Sequence, residues 1–347
     1  MVAKEWNADR RNRVVPTGDH DIMKRSAALA LAALALSTAG AAAQTSPYYD
    51  AWRDAELELG ARYIYGQPSY KAKVKDFDGT PISRLGFTGI DSHSGEVFGR
   101  INHKRLDIFL RGSFGFGGYF GGKLRDDDFA PGLGTISSTN SKLSNTFVSD
   151  VTVDIGWTPV VLPGTGLRFG PFAGFLYRND VFTARGVTCN PDDVGGALCG
   201  APGTQPVAPS TKVIKNDVRW TLPRVGLEAS MPITEDIGVR VEGSYLIPGL
   251  EGFRNEDSHY LRQSELGPVP NFVDTSTRAS GFTLQGVIDY RIGERTSIGI
   301  GARRIVLDSG TAKAVAGAGL PADQQSPARA GGVFQTTQGF LQLKVSY

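Results

Sequence analysis

With 37 Lys and Arg against 35 Asp and Glu, the 347-residue chain carries a formal net charge of +2. It therefore lacks the basic excess that nucleic-acid binding leaves in a composition. Its length fits one large domain or two ordinary ones, and mean hydropathy is slightly negative. After the N-terminal region no apolar run reaches the length of a spanning helix, so any crossing of a membrane has to be made by strands.

The chain opens with residues 1–22, read as an upstream extension in front of an export signal over 23–43. Met23, Lys24 and Arg25 start a charged stretch, Ala27 to Leu36 is apolar, and Ala41-Ala42-Ala43 offers a small-residue cleavage site before Gln44. The Arg10-Arg11 pair lies too far ahead of the apolar run for a twin-arginine signal. The domain proper is expected over 44–347, with Tyr48, Tyr49 and Trp52 as part of an interfacial aromatic girdle.

From there the pattern is period two, the signature of strands with one apolar face. Leu57, Leu59, Ala61, Tyr63 and Tyr65 alternate with Glu56, Glu58, Gly60 and Arg62, and Val151, Val153, Ile155 and Trp157 alternate with Thr152, Asp154 and Gly156. The chain ends on Leu341, Leu343, Val345 and Tyr347, set between Gln342, Lys344 and Ser346. Ten strands are predicted, near 55–65, 83–101, 106–120, 146–157, 167–177, 216–231, 237–247, 276–291, 296–307 and 333–347. Short turns such as 102–105, 233–236 and 292–295 alternate with long excursions at 66–82, 121–145, 178–215, 248–275 and 308–332. That asymmetry predicts an all-β fold, a ten-stranded antiparallel transmembrane β-barrel with long extracellular loops, both termini in the periplasm, in the bacterial outer membrane. Ten strands leave little room for an open channel, which disfavours a porin.

The only cysteines, Cys189 and Cys199, share the third excursion. In an exported protein they are expected to form one disulfide, worth about 2–3 kcal/mol for so small a loop. Two other short stretches carry chemistry. Asp126-Asp127-Asp128 and Asp257-Ser258-His259 each place two functional groups at i and i+2, on one face of a strand, at the same end of the barrel. A histidine beside a carboxylate is a general base with a fixed tautomer, and a second carboxylate pair can hold a water. Taken alone, this spacing also fits solvated acidic loops. No His-Glu-x-x-His or Gly-x-Ser-x-Gly motif occurs, so neither a metal site nor a serine nucleophile is expected. The glycine-rich run 115–122 reads as lumen packing beside a crowded rim.

The segments Gly121-Gly122-Lys123-Leu124-Arg125-Asp126-Asp127-Asp128-Phe129, Asn255-Glu256-Asp257-Ser258-His259-Tyr260, Phe182-Thr183-Ala184-Arg185-Gly186 and Leu222-Pro223-Arg224-Val225-Gly226-Leu227 resemble, in order, stretches of the omptins, a family of ten-stranded outer-membrane endopeptidases. The resemblance implies that Asp257 and His259 activate a water opposite an Asp126/Asp128 couple, with no covalent enzyme nucleophile and no metal. The substrate would be an extracellular peptide or protein and the enzyme a monomer. Where omptins hold a basic substrate residue with two acids, this chain has Tyr70 and Asn255, which puts the family's dibasic preference in doubt. Omptins need lipopolysaccharide for activity, and Arg219 corresponds to one residue that grips its phosphate, while Phe175, Tyr177 and Asn179 depart from that site. The alternative reading is a catalytically silent outer-membrane barrel serving as adhesin or receptor.

Overall fold

The computed structural model describes residues 54–347 apart from 77, 131, 133, 145 and 191–202. The extension, the signal segment, Tyr48, Tyr49, Trp52 and Cys199 lie outside the described residues, and so does the expected Cys189–Cys199 pairing.

The described chain is almost wholly strand: β1 (Ala55–Lys75), β2 (Pro81–His103), β3 (Ile108–Ala130), β4 (Gly134–Leu143), β5 (Thr146–Trp157), β6 (Val160–Val161), β7 (Arg168–Cys189), β8 (Val207–Pro232), β9 (Ile237–Leu246), β10 (Phe253–His259), β11 (Phe272–Ser276), β12 (Ser280–Arg291), β13 (Thr296–Asp308), β14 (Ala312–Ala316) and β15 (Ser326–Ser346). Ten of them, β1, β2, β3, β5, β7, β8, β9, β12, β13 and β15, close an antiparallel ring in that order. Toward the loop end β4, β10, β11 and β14 continue the paths of β5, β9, β12 and β13. They keep the ring closed through pairings with β3, β7, β8 and β15. Among the described residues no edge of the ten-strand ring is left for lipid to meet, as hydrocarbon demands.

The ten expected strands are present, and the five excursions between them consist largely of strand. The expected strands end at 65, 120 and 177, yet β1, β3 and β7 run on to Lys75, Ala130 and Cys189, through Gly66, Gly121-Gly122 and Gly186. Beyond Gly66 the alternation continues, with Tyr70, Ala72 and Val74 buried and Lys71, Lys73 and Lys75 exposed.

Outward residues form a lipid-facing band. Tyr63, Val97, Leu110, Ile155, Leu227, Ile300 and Leu341 are 49–63% exposed, too much apolar surface around one ring for a water-facing wall. The inward face of the same segment is charged and paired. Arg62 and Arg303 hold Glu96 at 2.6 and 2.9 Å, Arg100 and Arg111 hold Glu228 at 2.6 Å each, Arg240 holds Glu58 at 3.1 Å, and Arg224 and Arg111 share Asp154. This mesh leaves a cavity of about 70 Å³ among Arg62, Arg100, Arg111, Arg240 and Arg303, room for a few waters and not for a channel. Above it Tyr70, Phe87, Tyr119 and Phe182 stack at 4.8–5.8 Å and join Leu85, Leu124, Trp220, Phe253 and Phe334 in an apolar plug.

Glu228 is 1% exposed and bridges two buried guanidinium groups. Truncating it would leave both partly uncompensated, a loss of about 3–5 kcal/mol. Glu228→Ala is therefore expected to lower the urea midpoint of the refolded barrel clearly, as read by tryptophan fluorescence; an unchanged midpoint would mean that the lumen pairs contribute nothing.

Candidate active site

Whether Asp126 and Asp128 can reach the interior depends on which face of β3 points inward. In the lower barrel the inward residues of β3 are odd-numbered, as with the buried Tyr119, and those of β2 are even, as with Ser92 and Glu96. Toward the loop end the inward residues are Leu124, Asp126 and Asp128 on β3, and Leu85 and Phe87 on β2. The exchange takes place at Gly89 (φ 66°) and Gly121-Gly122 (φ 63° and 86°), the left-handed conformations that glycine alone adopts freely. At Gly122 a Cβ would also lie 2.7 Å from Ile90 Cγ1. The glycine run thus reverses the strand face, a role beyond lumen packing.

Asp127, on the other face, accepts hydrogen bonds from Arg84 at 2.7 Å, Arg125 at 2.9 Å and Ser138 at 2.7 Å. Burial pushes its carboxyl upward, but Arg84, Ser138 and Arg125 outweigh that and hold it below the usual range. Asp126 is bound only loosely, by Ser83 Oγ at 3.5 Å, while Asp128 accepts from Arg262 Nη1 at 3.3 Å.

β10 supplies the other pair. His259 Nε2 meets Asp257 Oδ2 at 3.2 Å, its backbone N–H donates to Asn271 Oδ1, and its ring stands edge-on to Phe272 at 6.0 Å between centroids. These contacts fix the imidazole in rotamer and depth, with Nε2 turned to the carboxylate. In the upper ring β3 and β10 are separated by β4, β7 and β8 on one side and by β2, β1, β15, β14 and β11 on the other, so they face each other across the mouth. Arg262 spans the gap, since it follows His259 by three residues and binds Asp128.

Electrostatics tie the four groups together. Burial and then Asp128 push the Asp126 carboxyl up to about 7, against the pull of His259. Burial raises Asp128 against Arg262 and His259. Burial would depress His259, but Asp257 more than offsets it, Asp126 adds to the effect, and the imidazole is raised to about 9. The structure thus brings Asp126, Asp128, Asp257 and His259 into one cluster above the apolar band.

Of the residues read as substrate-binding, Asn255 faces inward two positions before Asp257. Tyr70 is fully buried, stacked on Phe87 and Phe182 in the floor below. Sequence reasoning missed the acid beside them. Asp274 on β11 lies directly opposite Asn255, 3% exposed, and accepts a hydrogen bond from Asn255 Nδ2 at 2.9 Å, while Asn255 accepts one from Asn216 Nδ2 at 3.2 Å. The sequence offers 248–275 as one loop, which hides the i, i+2 pattern of Phe272 and Asp274 on a strand. Arg262 and Asn271 were missed for the same reason, and Asn216, at the start of an expected strand, because nothing in the sequence pairs it with Asn255. Arg219, on the outer face of β8, is engaged by Asp217 at 3.1 Å and Glu256 at 3.8 Å.

No protein-family model and no curated protein matches the chain. Among solved structures the described fold is similar to the outer membrane protease OmpT from Escherichia coli, with a TM-score of 0.63 and 17% identity over 84% of this chain and 97% of that one. Weaker likenesses include the translocator domain of the autotransporter NalP from Neisseria meningitidis (TM-score 0.33, 12% identity, 94% and 97% covered). Another is the outer membrane protein OprG from Pseudomonas aeruginosa (0.31, 8%, 84% and 95%). At these identities the comparisons speak to the fold: this chain is a β-barrel of the outer-membrane kind.

Burial, with Asp257 adding to it and Asn255 opposing, pushes Asp274 up to about 7. A carboxyl raised above its unfolded value of about 3.9 stabilises the fold fully below that value and ceases to do so as pH rises through 7. Asp126 behaves in the same sense. Thermal unfolding of the refolded protein is therefore expected to move to lower temperature between about pH 5 and 8, and Asp274→Asn to remove part of that fall, a few degrees in size; identical pH curves for the two proteins would contradict the assignment.

Proposed function

We propose that the protein is an outer-membrane endopeptidase of omptin type that hydrolyses extracellular polypeptides, with its site on the outward-facing end. The observation that carries this reading is the convergence of His259, backed by Asp257, on the Asp126/Asp128 couple, close enough for their charges to act on one another. With Nε2–H donated to Asp257, the Nδ1 lone pair is the base. A water held between Nδ1 and the Asp126/Asp128 carboxyls loses a proton to the imidazole as its oxygen attacks the peptide carbonyl. The imidazolium, stabilised by Asp257, then returns the proton to the departing amine as the C–N bond breaks. The carboxyls of Asp126 and Asp128 orient the water. Neither Tyr70 nor Asn255 offers a carboxylate, so the dibasic preference of omptins does not follow from those two positions.

The test is cleavage of a peptide library by refolded protein in detergent with added lipopolysaccharide. Asp126→Asn and His259→Ala are each expected to lower kcat/KM by about 10²–10⁴-fold, with the circular dichroism of a closed barrel retained. Wild-type activity in both variants would reject the assignment, and a folded wild-type protein with no cleavage of any peptide would favour the silent adhesin or receptor.

Because the imidazole must be neutral to act as a base and is held near 9, log kcat/KM should climb with pH across the neutral range and level off above about 9. Asp257→Asn should move the plateau to lower pH. A profile that falls from pH 7 to 9 would show that His259 does not serve as the base.

A further inference from the structure

We propose that the outward face of β1, β14 and β15 near the loop end is a binding site for the phosphate groups on the glycan of an outer-leaflet glycolipid. It rests on the outward orientation proposed above. Lys71, Lys73 and Lys75 recur at i, i+2 and i+4 on β1 and are all exposed, so their ammonium groups stand in one row. Register sets Lys75 beside Arg329 of β15, and Arg329 beside Lys313 of β14, both also exposed. Five cations thus cover three neighbouring strands in a chain whose charges otherwise nearly balance. Lys71, Lys73, Lys75 and Lys313 make no ion pair among the described residues, in contrast to the saturated mesh of the lumen.

The surface is concave as well as charged. A groove of about 460 Å³ runs along the three β1 lysines, with Gly310 and Gly331 on its floor and Asp308 as its one acid among the described residues. A larger hollow of about 1100 Å³ adjoins it past Arg329 and Lys313. Below, on the same strand, Tyr63 and Tyr65 flank His93 at the rim of the lipid-facing band. Tyr63 Oη meets His93 Nδ1 at 2.5 Å, and Phe120 stands edge-on to the imidazole. Such a tier of aromatic and polar groups marks the water boundary of a bilayer.

Height decides the ligand. Lys71 lies six residues beyond Tyr65, about 20 Å of strand at roughly 3.3 Å per residue, or roughly 15 Å above the boundary for strands tilted by ~40°. That is too high for phosphates at the acyl boundary and level with those on the sugars above it. Ammonium groups bind phosphate as point charges that tolerate varied geometry. Arg219, the phosphate contact expected from sequence, already has Asp217 and Glu256 as partners on another face.

The experiment measures binding of refolded full-length protein to three probes: rough lipopolysaccharide with a phosphorylated inner core, the same material with core phosphates removed, and lipid A alone. Wild-type protein is expected to prefer the phosphorylated core by about tenfold or more at low salt, and to lose the preference as salt screens it. Lys71→Gln/Lys73→Gln/Lys75→Gln should abolish the preference, and Arg219→Gln should leave it intact. Equal wild-type binding to the first two probes overturns the proposal whether or not the triple variant folds. So does a folded triple variant that still discriminates, or tightest binding to lipid A. Since no probe is a peptide, failure of the endopeptidase reading leaves these outcomes unchanged. Labelling of Lys73→Cys on intact cells by an impermeant reagent tests the orientation separately; protection from it would remove the outer leaflet as the source.

Discussion

Hydrocarbon tolerates no unpaired polar group, and the molecule's other features answer to that constraint. It closes the sheet, sends the apolar side chains outward, and drives charge into the lumen, where Arg62, Arg100, Arg111, Arg224, Arg240 and Arg303 meet their acids. Lumen charge in turn needs a lid, and the aromatic plug around Phe87, Phe182 and Trp220 supplies it. The candidate site stands on this plug. Burial above this packing pushes the Asp126 and Asp128 carboxyls upward.

The two halves of the site are built differently. On β10 the pair follows from unbroken alternation, with Asn255, Asp257 and His259 all inward and His259 tied to Asn271. On β3 it depends on a backbone device. Without the face reversal at Gly89 and Gly121-Gly122, Asp127 would point into the mouth, and Asp126 and Asp128 would face the outer surface. Arg262 then binds across the gap to Asp128, so the loop that follows His259 is tethered to the opposite wall.

Much of this was legible in the residues. Lipid-facing alternation is a strong signal where the outer face is uniformly apolar, and the ten strand positions could be read from it. Above the membrane the outward face turns polar, as in Tyr70-Lys71-Ala72-Lys73, so the lipid-facing signal stops near Gly66 and Gly121-Gly122 while the strands run on. The same weakness hid Asp274, whose inward orientation depends on β11 being a strand, and the pairing of Arg219 with Glu256, which lies on the neighbouring β10. The i, i+2 spacing of Asp126 with Asp128 and of Asp257 with His259 was legible because both pairs sit inside single strands. Their meeting was legible only through the ten-strand topology, which sets both pairs at one end of a ring although more than a hundred residues separate them.

The claim at the centre is that a solvent molecule, and no group of the protein, attacks the substrate between His259 and the Asp126/Asp128 couple. A single-turnover cleavage in ¹⁸O-enriched water, with enzyme in excess over peptide, tests it most directly. The account predicts one ¹⁸O in the newly formed product carboxylate in the first turnover and no covalent adduct on the protein. An unlabelled first-turnover product, or a trapped acyl adduct on any side chain, would contradict it.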